Sequence, residues 1–247
     1  MNPLRGKVSK IILITGSSSF VGKALIKDLS KNNRLFCIDK KIVNKIKMPN
    51  VRYFSSDVMN EKKLVKIKKQ IERKEKKIDI IINCFISQNY LPFEKQNLKR
   101  FQESVTINIC GTFLITKIFY KLLEKSEDPQ IINFGSIYGL VSGDPKIYPN
   151  EKVTSDAYAA SKSAIIQLTK YYAVKLSKYK IRVNCISPGG IFNNQNSKLV
   201  KNYVKKVPLK RMAKIDEIVG SVKLLLSSKS KYINGHNLIV DGGYTIL

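Results

Sequence analysis

The sequence predicts an α/β fold, one doubly wound parallel sheet of about seven strands with helices on both faces, and three observations carry that expectation. Short β-branched runs alternate with longer segments of helical period along all 247 residues. Two of those runs, Ile11-Ile-Leu-Ile14 and Ile80-Ile-Ile82, are apolar without a break, which means burial on both faces, the habit of a parallel strand. No linker, internal repeat or low-complexity tract interrupts the alternation, so residues 1–247 read as a single domain.

Taken in order, strands are expected at residues 11–15, 34–38, 51–54, 79–83, 130–134, 180–186 and 237–240, joined by six helical crossovers. The first strand runs into Thr15-Gly-Ser-Ser-Ser-Phe-Val-Gly22 and then a helix over 23–30. Between the third and fourth strands, Leu64, Ile67, Ile71 and Ile78 recur at helical spacing within 61–77, and lysines fill the outer face. Long helices are expected at about 98–124 and 155–177. The stretches without periodicity, 140–155 and 189–197, both follow strands. Ligands of an open α/β sheet bind beyond the carboxyl ends of its strands, so loops at about 140–157 and 189–206 are the natural walls of a substrate site.

Composition narrows the function classes. Lys and Arg number 45 against 18 Asp and Glu, a formal charge of +27, a balance that attracts polyanions. A nucleic-acid site needs a patch, whereas these lysines are spread along the chain. The sequence is also rich in Ile and Asn and lacks Trp, so a compositional bias accounts for the charge, and no nucleic-acid partner is expected. The positive field would still concentrate a dinucleotide or a phosphorylated substrate. No uninterrupted apolar run reaches membrane-spanning length and the first ten residues lack a signal-peptide pattern, so no membrane partner and a cytoplasmic location are expected. Cys37, Cys84, Cys110 and Cys185 form no CxxC pair and read as reduced structural thiols. His236 is the sole histidine and sits in a turn, which disfavours His-based metal sites and Ser-His-Asp chemistry; no metal is expected.

The turn after the first strand has the context of a dinucleotide-binding site. Gly16 permits the tight bend, Gly22 lets the helix approach the strand, and Ser18, Ser19, Phe20 and Val21 bring the helix N-terminus to a pyrophosphate. Asp39, at the end of the second strand, can accept hydrogen bonds from both adenosine ribose hydroxyls and would repel a 2′-phosphate. NAD is therefore expected over NADP, although Lys40 and Lys41 soften the repulsion. Tyr158 and Lys162 lie four residues apart on one helix face. An ammonium there favours the phenolate, which is the tuning a general acid/base requires.

Turn, pair and the intervening Asn133-Phe-Gly-Ser-Ile-Tyr-Gly139 stand in the order and spacing of the short-chain dehydrogenase/reductase family, with its Rossmann-type fold, which the chain resembles over essentially its whole length. Asp57-Val58, Asn108, Asn184-Cys-Ile-Ser-Pro-Gly-Gly190 and Ile239-Val-Asp-Gly-Gly243 extend the match. The resemblance implies that Tyr158 exchanges a proton with the substrate oxygen, Ser136 donates to that oxygen, and Lys162 lowers the Tyr158 pKa and binds the nicotinamide ribose. It implies also that Asn108 holds a water linking Lys162 to solvent, that Asp57 with Val58 meets the adenine, and that Pro188, Gly189, Ile191 and Asn193 meet the nicotinamide. Three departures stand out. The family's third glycine is absent, with Ser19 or Phe20 in its place; its Asn-Asn-Ala-Gly is Asn83-Cys-Phe-Ile86, near the cofactor ribose; and its Thr after the Pro-Gly turn is Asn193.

The segment between Ser136 and Tyr158 carries a polar loop in which Tyr148, Asn150 and Glu151 can bond hydroxyls, and Lys146 and Lys152 can meet phosphate. Together with Pro208-Leu-Lys-Arg-Met-Ala213, it resembles the branch that includes flagellin modification protein A, oxidoreductases of bacterial surface-glycan and nonulosonic (legionaminic-type) sugar synthesis. That likeness implies a sugar, sugar-phosphate or nucleotide-sugar substrate. A 3-oxoacyl thioester or polyol reductase on the same machinery, and a non-catalytic dinucleotide- or nucleic-acid-binding scaffold, are the rival readings. Members of the family assemble as homotetramers or homodimers through the two long helices.

Overall fold

The structure, a computed structural model, describes residues 10–88, 93–148 and 155–247. Seven parallel strands, β1 (Ile11–Thr15), β2 (Arg34–Asp39), β3 (Val51–Ser55), β4 (Ile80–Asn83), β5 (Gln130–Phe134), β6 (Arg182–Pro188) and β7 (Asn237–Val240), pair in the order β3-β2-β1-β4-β5-β6-β7. The order reverses between β1 and β4, so a crevice opens beyond their carboxyl ends.

Alternate residues of each strand supply two cores. Ile12 and Ile14 pack with Leu25, Ile26 and Leu29 of α1 (Phe20–Leu29) and with Ile218, Val222 and Leu225 of α7 (Ile215–Leu226). Leu13, Phe36 and Ile131 face the other way, onto α2 (Glu61–Glu75), α4 (Gly111–Leu123) and α5 (Asp156–Lys175). The helix α3 (Leu98–Val105) passes through a π-helical turn at Thr106–Cys110 directly into α4, and α6 (Ser197–Lys205) lies beside the loop that follows β6.

Four expectations need correction. The β2–β3 crossover is not helical, so five of the six crossovers carry helices. Residues 40–50 include Pro49 and Asn44, whose φ is 50°, and they have no apolar stripe. The segment is instead pinned to the sheet edge by the Ile46 N–H, which donates to the Tyr53 hydroxyl at 3.1 Å. The fourth strand begins at Ile80, and Asp79 just before it accepts the Ile11 N–H on its carboxylate at 2.7 Å. The sixth begins at Arg182, because Lys180 has a φ of 59° that no strand accommodates, and it continues to Pro188 beside Val240. Finally, α1 begins at Phe20 rather than at residue 23, because Ser19 caps it; the helix Leu98–Leu123 is long and apolar enough by composition to cross a membrane, but half of its most apolar window is buried within the fold, as in a core helix.

Candidate active site

At the end of β1, Gly16 turns with a φ of 73°, and a β-carbon there would collide with the Cys84-Phe85 backbone; a side chain at Gly22 would strike the Gly16 carbonyl. Ser19 caps α1: its Oγ accepts from Gly22 N at 3.0 Å and donates to the Gly16 carbonyl at 2.7 Å. The N–H groups of Phe20 and Val21 make no hydrogen bond among the described residues and point from a helix N-terminus, a cradle for a phosphate anion. The Ser18 N–H donates to Asp39 Oδ2 at 2.8 Å, tying the turn to the end of β2.

Gly16, Ser18, Ser19, Asp39, Asp57 and Val58 line a groove of about 350 Å³. Burial opposes the charge on Asp57, but the Met59 N–H and the Lys40 ammonium, 3.1 Å away, hold its carboxyl below the usual range. This groove shares Ser19 and Ile86 with a second one of about 250 Å³, bounded by Phe20, Val21, Lys162, Pro188, Gly189 and Ile191. Phe20, Ser136 and Tyr158 in turn stand on the seam between the second groove and a cavity of about 670 Å³. Anion cradle, ribose-height carboxylate and a continuous groove therefore fit a dinucleotide.

Ser136 follows β5 and caps the 3-10 turn Ile137–Gly139, its Oγ accepting from Tyr138 N at 3.2 Å. That turn lies close on α5, for a β-carbon at Gly139 would come 2.8 Å from the Lys162 backbone. Ser155 caps α5 by accepting from Tyr158 N at 3.3 Å, which puts Tyr158 in the first turn, above Lys162. The buried Lys162 ammonium donates to the Phe134 carbonyl at 2.6 Å and lies 5.6 Å from the centre of the Tyr158 ring. Burial pushes its pKa down to about 8. Burial likewise raises the thiols near it, Cys185 to about 11 and Cys84 further, so both stay neutral.

Asn108 sits in the π turn, buried. Its Oδ1 accepts from Ser87 N at 2.7 Å, and its Nδ2 donates to the Ser87 carbonyl and to Ser161 Oγ, each at 2.9 Å. The side chain thus fastens the loop after β4 to α5, and any water link to Lys162 falls to its carbonyl, which accepts from Thr112 Oγ1 at 2.8 Å. Asn83 stands apart from the groove. It accepts from Thr15 Oγ1 and donates to Asn133, which donates to Thr169, a buried chain of hydrogen bonds through the sheet to α5. The bulk after it is absorbed in part by the fold: the Phe85 ring packs at Gly111, where a β-carbon would come 2.9 Å from it.

Asn193 and Tyr148 line the large cavity, whereas Asn150 and Glu151 lie outside the described residues. Sequence reasoning missed Tyr138, Tyr203, Gln88 and Gln195, which line it too. Tyr138 lies within the quoted Ser136 segment, and Gln195 and Tyr203 within the loop expected at 189–206, so each had a positional signal without being singled out; Gln88 had none. No cluster of three or more His, Cys, Asp or Glu able to hold a metal occurs among the described residues.

The sequence profile of the family described as enoyl-(acyl carrier protein) reductase matches residues 36–245. The chain is similar to a crystal structure of a short chain dehydrogenase from Leptospira borgpetersenii with bound NAD+, with a TM-score of 0.90 and 39% identity, covering 97% of this chain and 94% of that one. It is 27% identical to post-translational flagellin modification protein A of Campylobacter coli, over 96% of this chain and 98% of that protein. It is also 27% identical, over 95% of its own length, to an uncharacterized short-chain type dehydrogenase/reductase of Sinorhizobium fredii, and it spans 43% of the length of that relative.

Proposed function

The chain belongs to the short-chain dehydrogenase/reductase family, and on that premise we propose that it is an NAD-dependent oxidoreductase acting on a hydroxyl or carbonyl of a small polar substrate of the sugar, sugar-phosphate or nucleotide-sugar class. One observation carries this reading: Tyr158 and Ser136 share the seam between a groove that fits a dinucleotide and a cavity that can hold a substrate, with the Lys162 ammonium buried beneath.

Gly16, Ser18, Ser19, Phe20 and Val21 would hold the pyrophosphate, Asp39 the adenosine ribose, Asp57 and Val58 the adenine, and Pro188, Gly189, Ile191 and Asn193 the nicotinamide end. Bound there, NAD supplies the acceptor or donor of hydride. The Tyr158 phenolate takes the proton from a substrate alcohol, or in the reverse direction the Tyr158 phenol gives its proton to a carbonyl oxygen, while Ser136 Oγ donates to the same oxygen and fixes its position. The Lys162 charge stabilises the phenolate during the transfer. Asn108 is a positioning residue, which through its 2.9 Å bond holds Ser161, three residues after Tyr158 and directly before Lys162.

Similarity to flagellin modification protein A supports a surface-glycan setting, and the four free cysteines fit a reducing compartment such as the cytoplasm. Phe113, Tyr171 and Val174, exposed on the outer faces of α4 and α5, support assembly of copies through these helices. The direct test is calorimetry with NAD+ and NADP+, followed by a substrate screen read by nicotinamide absorbance. Binding of neither nucleotide at millimolar concentration would sink the redox reading, and turnover of 3-oxoacyl thioesters alone would replace the sugar class.

A further inference from the structure

The cavity beside Tyr158 has no charged wall. Among the described residues it is closed by tyrosines, glutamines, asparagines and apolar groups, with neither a carboxylate nor an ammonium or guanidinium. In a chain of net charge +27 that exclusion is specific to the place. Of the nearby cations, Lys206 pairs with Asp144, and Lys146 is exposed to solvent and does not line the cavity.

In place of charge stands an array of hydroxyls and amides. Tyr148 donates to the Tyr138 hydroxyl at 2.7 Å. The Tyr244 ring stacks on Tyr203 at 5.2 Å, and the Tyr203 hydroxyl accepts from Gly190 N at 2.6 Å. Burial lifts the Tyr138 pKa far above the ordinary value, which keeps it a neutral donor and acceptor. Gln88, on the same wall, has no hydrogen bond among the described residues. Such a wall exchanges hydrogen bonds with hydroxyls one for one. A phosphate or carboxylate would lose its hydration there without gaining a counter-charge.

Resting on the oxidoreductase reading, we infer that the substrate is uncharged over the part that enters this cavity, a free sugar or polyol rather than its phosphate ester, and that Tyr138 is a specificity-determining residue that bonds its hydroxyls. The test uses free hexoses, N-acetylhexosamines and pentitols, each beside its phosphate ester, on the NAD+-saturated full-length protein. NADH absorbance gives kcat and KM, and calorimetry gives NAD+ affinity.

The expected result is turnover of a free member with kcat/KM roughly 100-fold above that of its ester. An ester that matches or exceeds its parent overturns the inference while the redox reading stands. So does an NAD+-saturated enzyme that turns over no member of any pair. Loss of NAD+ binding itself overturns the underlying reading instead. Tyr138→Phe is expected to raise KM for the free substrate about tenfold, with kcat within about twofold and NAD+ affinity unchanged. An unchanged KM removes Tyr138 from the role. Should that variant fold poorly, Tyr148→Phe, which breaks the same chain of hydroxyls from a less buried position, is expected to give the same split, and an unchanged KM there overturns the assignment equally.

Discussion

At one end of the groove Lys162 is buried, with its ammonium fixed on the Phe134 carbonyl; at the other, Asp39 is half-exposed, with Ser18 N–H on one oxygen and Lys41 N–H, at 3.3 Å, on the other. The buried charge costs stability and persists because the fold over-determines it: the Ser136 turn, the α5 cap and the Asn108 bridge all converge on the same helix. The exposed carboxylate is cheap to hold. It is surrounded by substitutions the family pattern does not contain, which the fold accommodates by a serine cap at Ser19 and by the space left at Gly111. Chemistry at the first end tolerates little change, while nucleotide recognition at the second has room to drift.

That contrast can be broken most sharply at Tyr158. Tyr158→Phe is expected to lower kcat about 10³-fold while NAD+ affinity stays within about twofold; retained turnover would take Tyr158 out of the proton path. Next comes the charge beneath it. The folded pKa of Lys162, about 8, lies below the value of about 10.4 for an unfolded lysine. Between those two values the unfolded chain holds a proton that the folded chain has released. Stability therefore rises with pH through that window, and the burial cost is fully present below it. Compared with wild type, Lys162→Met should flatten this rise by about 3 kcal/mol between pH 7 and pH 10.5 in urea unfolding. Parallel pH profiles would mean that the ammonium is not desolvated.

At the nucleotide end the effects should be smaller. Asp39→Ala is expected to shift the ratio of NAD+ to NADP+ affinity about tenfold toward NADP+, measured by calorimetry; an unchanged ratio would move the ribose contact elsewhere. Smallest is Ser19→Ala, which removes the α1 cap and should cost about 1 kcal/mol of stability, read from the urea midpoint. A loss of the size expected at Lys162 would show the turn to be as rigid as the catalytic end.

The central strands were legible because burial on both faces leaves an apolar signature, the partly buried edge strands β3 and β7 because short β-branched runs alternate with helices, and each observed strand lies within two residues of its expected place. The β2–β3 crossover was not, since its packing rests on single contacts such as Ile46 with Tyr53 rather than on a periodic face. Tyr158, Lys162 and Asp39 stood out through local spacing at strand and helix ends, and Ser136 through the family resemblance; the structure brings Ser136, Tyr158 and Lys162 to one groove. The pairing of Tyr203 with Tyr244 was not legible: each reads locally as an ordinary core aromatic, and only the approach of α6 and the chain end to the Ser136 turn stacks Tyr244 behind Tyr203 at the cavity. The engagement of Asn83 inside the sheet was equally invisible, because a buried amide chain depends on cross-strand register.

The π turn at Thr106–Cys110 sets the phase of the helix on either side of it. Such a turn amounts to one residue inserted into an α-helix, which advances everything after it by about 100°. A single deletion within it would restore an uninterrupted α-helix of nearly the same length and composition. It would also rotate Ile115, Phe119 and Leu122 off the sheet, and it would carry Gly111 away from the Phe85 ring. The reading frame of this one helix, rather than its helicity, is what aligns the core with the site above it.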